Sequence, residues 1–158
     1  MVEVPSLGAR GGGWVALQFA LLATILGVGL LAPGWPDGAH WWLKVAAILL
    51  VVAGALVIAQ ASRALGAGFT PFPKPADEGE LVESGPYAVV RHPVYSGGIL
   101  FAAGISLALS PWALVATGAL AVVWALKARV EERLLGAHYP AYAEYRERTR
   151  YRLVPHVY

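Results

Sequence analysis

Apolar positions along this chain fall into four long runs, separated by short polar or proline-rich breaks. The first, 14–32, is uncharged, and Gln18 is its only strongly polar side chain. It is long enough to cross a hydrocarbon core of roughly 30 Å. Pro33, Gly34, Pro36 and Gly38 then mark a turn. Trp41 and Trp42 open the second run at a position suited to the interfacial aromatic belt. That run, 42–62, is bracketed by Lys44 and Arg63 and is apolar on all sides, as a lipid-facing or buried helix requires. No charge occurs between Pro93 and Leu126. A single helix of that length would reach about 50 Å, too far for one crossing. Ser110-Pro111 supplies the break, because proline suits a first helical turn and disfavours helix in the residue before it. The pattern predicts spans at 94–109 and 111–130, the last helix running on to about Gly136. Gly97, Gly98, Ala102, Ala103 and Gly104 on one helix, with Ala113, Gly118 and Ala121 on the next, are expected to let these two pack closely.

The breaks carry the polar residues. Between 64 and 87, Gly66 and Gly68 precede Phe-Thr-Pro-Phe-Pro-Lys-Pro, whose alternate prolines exclude helix and favour extended backbone. Asp77, Glu78, Glu80 and Glu83 make this loop acidic. It reads as a rigid interfacial connector or as a lid, with Phe69 and Phe72 covering a ligand or dipping into the bilayer. The tail from Tyr139 is aromatic and basic and reads as an interfacial cap, its tyrosines belonging to the membrane belt.

Composition agrees with a membrane location. Of the 158 residues, 58% are hydrophobic and 14% charged, against about half and a quarter in soluble domains. The expectation is one all-α domain over 1–158, an integral membrane bundle of about four transmembrane helices with a C-terminal helical hairpin and an interfacial loop and tail. The first run is longer than a signal-peptide core and lacks a clear cleavage site, so it is expected to be retained. A net charge of +2 gives no case for nucleic acid. There is no cysteine, which excludes disulfides, thiolate metal sites and a cysteine nucleophile. Four spans put both termini on one face, together with Arg63, Lys74, Arg91 and seven basic residues from Lys127 onward. The opposite turns, at Gly38 and Ser110, carry little charge beyond Asp37 and Lys44. The positive-inside rule therefore predicts that the charged face, with both termini, is cytoplasmic.

Chemistry concentrates at 81–98, Leu-Val-Glu-Ser-Gly-Pro-Tyr-Ala-Val-Val-Arg-His-Pro-Val-Tyr-Ser-Gly-Gly. Ionisable groups at membrane depth are costly and usually functional. Arg91 is a permanent planar cation suited to a carboxylate or phosphate. His92 can donate, accept or titrate near neutrality. Tyr87 and Tyr95 offer ring faces with hydroxyl handles, and Gly97 and Gly98 permit close approach to the backbone. Downstream, Glu131 and Glu132 are neighbours about 100° apart around a helix, so they are expected to have different jobs. One reaches into the bundle while the other meets Arg91 or the tail arginines; alternatively one of the two lies on a solvated face paired with Lys127, Arg129 or Arg133. The set suits a ligand carrying a purine and charged groups. His40, His138 and His156 show no metal-ligand grouping.

These motifs resemble the isoprenylcysteine carboxyl methyltransferase family and its phospholipid N-methyltransferase relatives. The resemblance covers roughly the second half of the chain. It is carried by Leu81-Val82, Gly85, Tyr87, Arg91, His92, Pro93, Tyr95 and Gly97, then by Glu131, Glu132 and Leu135 with the spaced aromatics Tyr139, Tyr142 and Tyr145. Tyr139 stands where Phe is usual and Pro140 where Gly is usual, departures that touch substrate fit. The resemblance implies S-adenosylmethionine held between the loop, the base of the hairpin and the end of the last helix. It implies cofactor contacts from Tyr87, His92, Tyr95, Gly97, Glu131 and Glu132. Arg91, His92 and Glu132 are the candidate catalytic residues, with Arg91 orienting an anionic substrate group or anchoring a glutamate. The chain has no Gly-x-Gly-x-x-Gly dinucleotide fingerprint after a strand. The expected activity is methyl transfer to a lipophilic small molecule or lipid. The alternatives are a non-catalytic lipid- or partner-binding scaffold and a nicotinamide-dependent membrane reductase of related design.

Overall fold

The computed structural model describes residues 4–36, 41–75 and 79–157. Gly38, Asp37, His40, Asp77 and Glu78, all used above, lie outside the described residues. Five α-helices follow in order: α1 (Gly12–Leu31), α2 (Trp41–Leu65), α3 (Pro93–Leu109), α4 (Pro111–His138) and α5 (Tyr142–Arg148). Short 3-10 turns occupy Gly66–Gly68 and Gly85–Ala88. Among the described residues there is no strand. Three helices are long and apolar enough to cross a membrane: α1, α2 with its 3-10 extension to Gly68, and α4. The shorter α3 is apolar throughout its 17 residues. The protein is an all-helical integral membrane bundle.

Each boundary has a local cause. Pro93 and Pro111 occupy the first turns of α3 and α4, where their missing N–H costs nothing. Ser110 caps α4 by accepting from the Trp112 N–H at 3.3 Å, while its own hydroxyl donates to the Pro33 carbonyl at 2.8 Å. Trp35 Nε1 donates to the Leu107 carbonyl at 2.8 Å. The turn after α1 is thus tied to the α3–α4 hairpin at one end of the bundle.

Small residues decide the packing, in a different place from that expected. Gly97 and Gly104 face α2. A Cβ at Gly104 would stand 2.7 Å from the Ala47 carbonyl oxygen and 2.8 Å from the Val51 nitrogen. A Cβ at Gly54 of α2 would meet the Phe101 nitrogen at 2.5 Å and the Gly97 oxygen at 2.6 Å. The two backbones therefore meet through glycine, the small-residue contact that replaces hydrophobic driving force in lipid. Gly118, expected in the α3–α4 seam, has open space where its side chain would be. Gly98 alone of the α3 glycines meets α4, at the Trp124 ring. The α3–α4 seam instead carries a buried hydrogen bond, Ser106 Oγ to Thr117 Oγ1 at 2.7 Å. The core where α1, α3 and α4 converge is Ile25, Ala102, Ala113, Leu120 and Trp124. Phe19, Leu26, Leu30, Ile48, Leu49, Val115 and Val122 point outward, as lipid-facing positions do.

Alternation of helix direction brings the start of α1, the end of α2, the start of α3 and the end of α4 to one end. The described parts of the 64–87 loop, α5 and the described tail cover that end. The polar residues at the base of the hairpin lie beneath them.

Candidate functional site

Arg91 and His92 sit in the turn before α3, and the tail is zipped onto them. Arg91 N–H donates to the Tyr151 carbonyl at 2.9 Å and His92 N–H to the Arg152 carbonyl at 3.0 Å. Arg91 Nη1 donates to the Thr149 and Arg150 carbonyls at 2.7 and 2.6 Å. Ser96 Oγ donates to the Leu153 carbonyl at 2.5 Å. The tail is therefore a structural member of the site.

The adjacent glutamates point apart. Glu132 is buried, 7% exposed. Its Oε1 accepts from Arg91 Nε at 2.8 Å and Arg152 Nε at 2.9 Å, and its Oε2 accepts from Arg152 Nη2 at 2.8 Å. His92 Nε2 lies 3.3 Å from the same Oε1. Two guanidinium groups thus hold one carboxylate, a desolvated arrangement stable only because its oxygens are multiply bonded. Glu131, with its side chain 23% exposed, faces a pocket instead. Its Oε2 accepts from the Tyr95 hydroxyl at 2.7 Å and stands 3.6 Å from His92 Nδ1. The rings of His92, Tyr95 and Trp124 stack in series, with centroid spacings of 5.5 and 5.6 Å and interplanar angles of 8° and 16°.

The pocket's cavity volume is about 100 Å³, smaller than the roughly 300–1,000 Å³ usual for small-molecule and cofactor sites. Leu65 and Gly68 at the end of α2 and Phe69, Thr70 and Pro75 of the loop form one wall. Arg91, His92, Val94 and Tyr95 form a second, and Glu131 and Leu135 of α4 a third. Tyr87, Tyr139, Tyr142 and Tyr145 complete an aromatic rim. Tyr145 Oη donates to the Tyr87 carbonyl at 2.8 Å and Tyr139 Oη to the Gly79 carbonyl at 2.5 Å, so α5 and the loop close on each other. Burial pushes the Tyr87, Tyr142 and Tyr145 phenols well above their ordinary range, and Glu131 adds to the effect at Tyr87. All three stay protonated donors.

Six of the seven residues singled out from sequence come together here. Tyr87, Arg91, His92, Tyr95 and Glu131 line the pocket, and Glu132 stands behind it, bonded to Arg91 and Arg152. Gly97 does not line the pocket; it is turned to α2, where Gly54 and Ile58 occupy the space beside it. Arg91 anchors Glu132 and the tail backbone, so the glutamate-anchoring alternative describes its bonds. Of the tail tyrosines, Tyr139, Tyr142 and Tyr145 are pocket residues, not belt residues, α5 turning the last two inward, whereas Tyr151 lies against His156. Phe69 lines the pocket, whereas Phe72 packs under Arg10, 5.1 Å from its guanidinium carbon. Lys127 does not join the glutamates; it turns to Gln18 and Pro71. Arg152, Gln18 and Lys127 carry little local signal, since an arginine in a basic tail, a lone glutamine in a span and a lysine at a helix end are each common.

One buried polar atom bears on what the pocket can hold. Tyr142 Oη has no hydrogen-bond partner among the described residues, and such a group is costly unless a ligand or water completes it, whereas His92 Nε2 is turned to Glu132 Oε1 at 3.3 Å. The pocket thus offers aromatic faces, one carboxylate, Glu131, and one spare donor, Tyr142 Oη, to a ligand with an aromatic part and polar groups. Among the described residues, no three His, Asp or Glu side chains gather as a metal set.

The family model described as phospholipid methyltransferase matches residues 42–142, from the start of α2 to the start of α5. The cobalt-zinc-cadmium resistance protein CzcN of Cupriavidus metallidurans is 38% identical over 71 residues, covering 44% of this chain. The match takes in 33% of that protein, so the chain spans about a third of the length of the curated relative it matches.

Proposed function

This chain belongs to the phospholipid methyltransferase family; from that premise we propose that it is a membrane methyltransferase, transferring a methyl group from S-adenosylmethionine to a lipophilic small molecule or lipid at the cytoplasmic membrane face. The observation that carries this reading is the pocket at the charged end of the bundle, where Glu131, Tyr95 and His92 meet a tyrosine rim. Glu131 would accept hydrogen bonds from ribose hydroxyls or an amino group. The tyrosine faces would take the purine, and Tyr142 Oη would donate to a carboxylate. When bound, S-adenosylmethionine supplies a methyl group already electrophilic on a sulfonium.

The protein's own work is then alignment and exclusion of water. Arg91, Glu132 and Arg152 hold the turn bearing His92 against the tail. Phe69, Tyr139 and α5 cover the pocket from solvent. A carboxylate acceptor needs no base. An amine or thiol acceptor must lose a proton, and Glu131 and His92 are the pocket-lining groups with a free lone pair to take it. The excess of Arg and Lys at this end supports the cytoplasmic assignment.

Titration calorimetry of the detergent-purified protein with S-adenosylmethionine and, separately, with NADPH tests the reading. Saturable binding of S-adenosylmethionine alone is expected. Binding of NADPH alone would favour a membrane reductase, and binding of neither a non-catalytic scaffold.

A further inference from the structure

Lys127 has no exposed surface. It lies on α4 one turn before Glu131, about 24 Å from the start of the helix at 1.5 Å per residue. Among the described residues no carboxylate bonds to it, and Glu131, one turn on, acts on it only through space. Its Nζ donates to Gln18 Oε1 of α1 at 2.5 Å and to the Pro71 carbonyl at 2.7 Å. It also stands 5.3 Å from the centroid of the Tyr95 ring. Gln18 Oε1 accepts from Trp124 Nε1 as well, at 3.1 Å. An ammonium buried with only neutral hydrogen-bond partners is expensive, and an apolar side chain of similar volume is often at least as stable. Stability gives no reason for a lysine here.

What the lysine touches does. Pro71 belongs to the 69–75 loop, which gives Phe69, Thr70 and Pro75 to the pocket. Tyr95 lies across the pocket, its hydroxyl on Glu131 and its ring in the stack with His92 and Trp124. The loop's outer side is held by the N-terminal segment: Arg10 covers Phe72, and Pro73 fills the space beside Gly11, whose φ of +77° admits no side chain there without strain. Its inner side is held by Lys127. We infer that Lys127 is a positioning residue, whose ammonium latches the 69–75 loop against Tyr95 and fixes two walls of the pocket in the arrangement that holds the cofactor. This rests on the cofactor reading above for its second half only; the latch stands on the geometry alone.

The test uses the absence of native cysteine. Thr70→Cys is introduced alone and with Lys127→Met, and maleimide labelling is timed in detergent without cofactor. Loss of a hydrogen bond from a charged group should favour loop opening, raising the labelling rate about ten- to a hundredfold. In the otherwise native protein, Lys127→Met should raise KM for S-adenosylmethionine about tenfold and leave kcat at saturation within about twofold. Lys127→Arg, which keeps charge and donors, should restore slow labelling. Where Lys127→Met does not purify folded, Lys127→Gln gives the same reading, since its shorter amide cannot span Gln18 and Pro71. A lowered melting temperature with unchanged labelling would overturn the latch and leave Lys127 a packing residue. Faster labelling with unchanged KM would overturn its role in holding the cofactor. Failure of all variants and wild type to bind S-adenosylmethionine would count against the cofactor reading, while the labelling rates would still decide the latch.

Discussion

Glu131 and Glu132 show how one helical step separates two roles. Glu131 keeps one oxygen on Tyr95 and faces the pocket; Glu132 is enclosed by Arg91 and Arg152. Glu131→Gln is expected to weaken S-adenosylmethionine binding about ten- to a hundredfold with an unchanged melting temperature, the amide keeping only part of the carboxylate's accepting capacity. Glu132→Gln should cost about 3–5 kcal/mol of stability, because it leaves two guanidinium groups short of a buried counter-charge. Thermal melts and calorimetry on both variants in one detergent check the pair, and equal affinity losses at unchanged melting temperature would contradict the division. The divergence of the two side chains was legible from 100° per residue alone. Arg152 as the second partner was not, because nothing local marks one arginine among several in a basic tail as the one that folds back beneath a loop 60 residues earlier. Gly97 misled for a related reason: a glycine beside a polar motif serves a ligand or a helix, and only the position of Gly54 settles which.

At the scale of elements, the α2–α3 contact and the loop carry the consequences. Gly54→Ala would press a methyl onto the Phe101 nitrogen and Gly97 oxygen, backbone atoms that cannot step aside. Overpacking of this kind costs about 1–3 kcal/mol, so the melting temperature should fall. Gly118→Ala meets nothing within 4 Å and removes a helical glycine, so it should raise the melting temperature slightly. A matching fall for Gly118→Ala would move the close seam to α3–α4. Helix positions were readable because lipid imposes long apolar runs and Pro93 and Pro111 mark their starts. The pairing of those helices was not, since every span carries small residues and a single sequence does not say which faces meet. The inward fold of α5 was hidden for the same reason: an aromatic and basic tail has the composition of an interfacial belt wherever its tyrosines turn.

For the molecule as a whole, alternating helix direction and a one-sided charge distribution predict a topology with the charged end in the cytoplasm. Ser110 is buried and bonded to Pro33, so exposed Gly34 is the better reporter of that end. Gly34→Cys should label with an impermeant maleimide only from outside the cell, and Glu147→Cys only after the membrane is opened; the reverse pattern would invert the orientation. The bundle and its charged end were legible in hydropathy and in the Arg-His-Pro and Glu-Glu motifs. The pocket itself was not, because it is assembled from the end of α2, a proline-rich loop, two helix ends and a folded-back tail. The central claim, methyl transfer from S-adenosylmethionine to a lipophilic acceptor, is tested most directly with methyl-labelled S-adenosylmethionine. Purified protein in liposomes made from its host's membrane extract is incubated with it, and label is counted in the organic phase. Time-dependent label with the wild type, reduced at least about tenfold in Glu131→Gln and His92→Ala, is the predicted result. Label no higher than in protein-free liposomes, from wild type that binds S-adenosylmethionine, would contradict it.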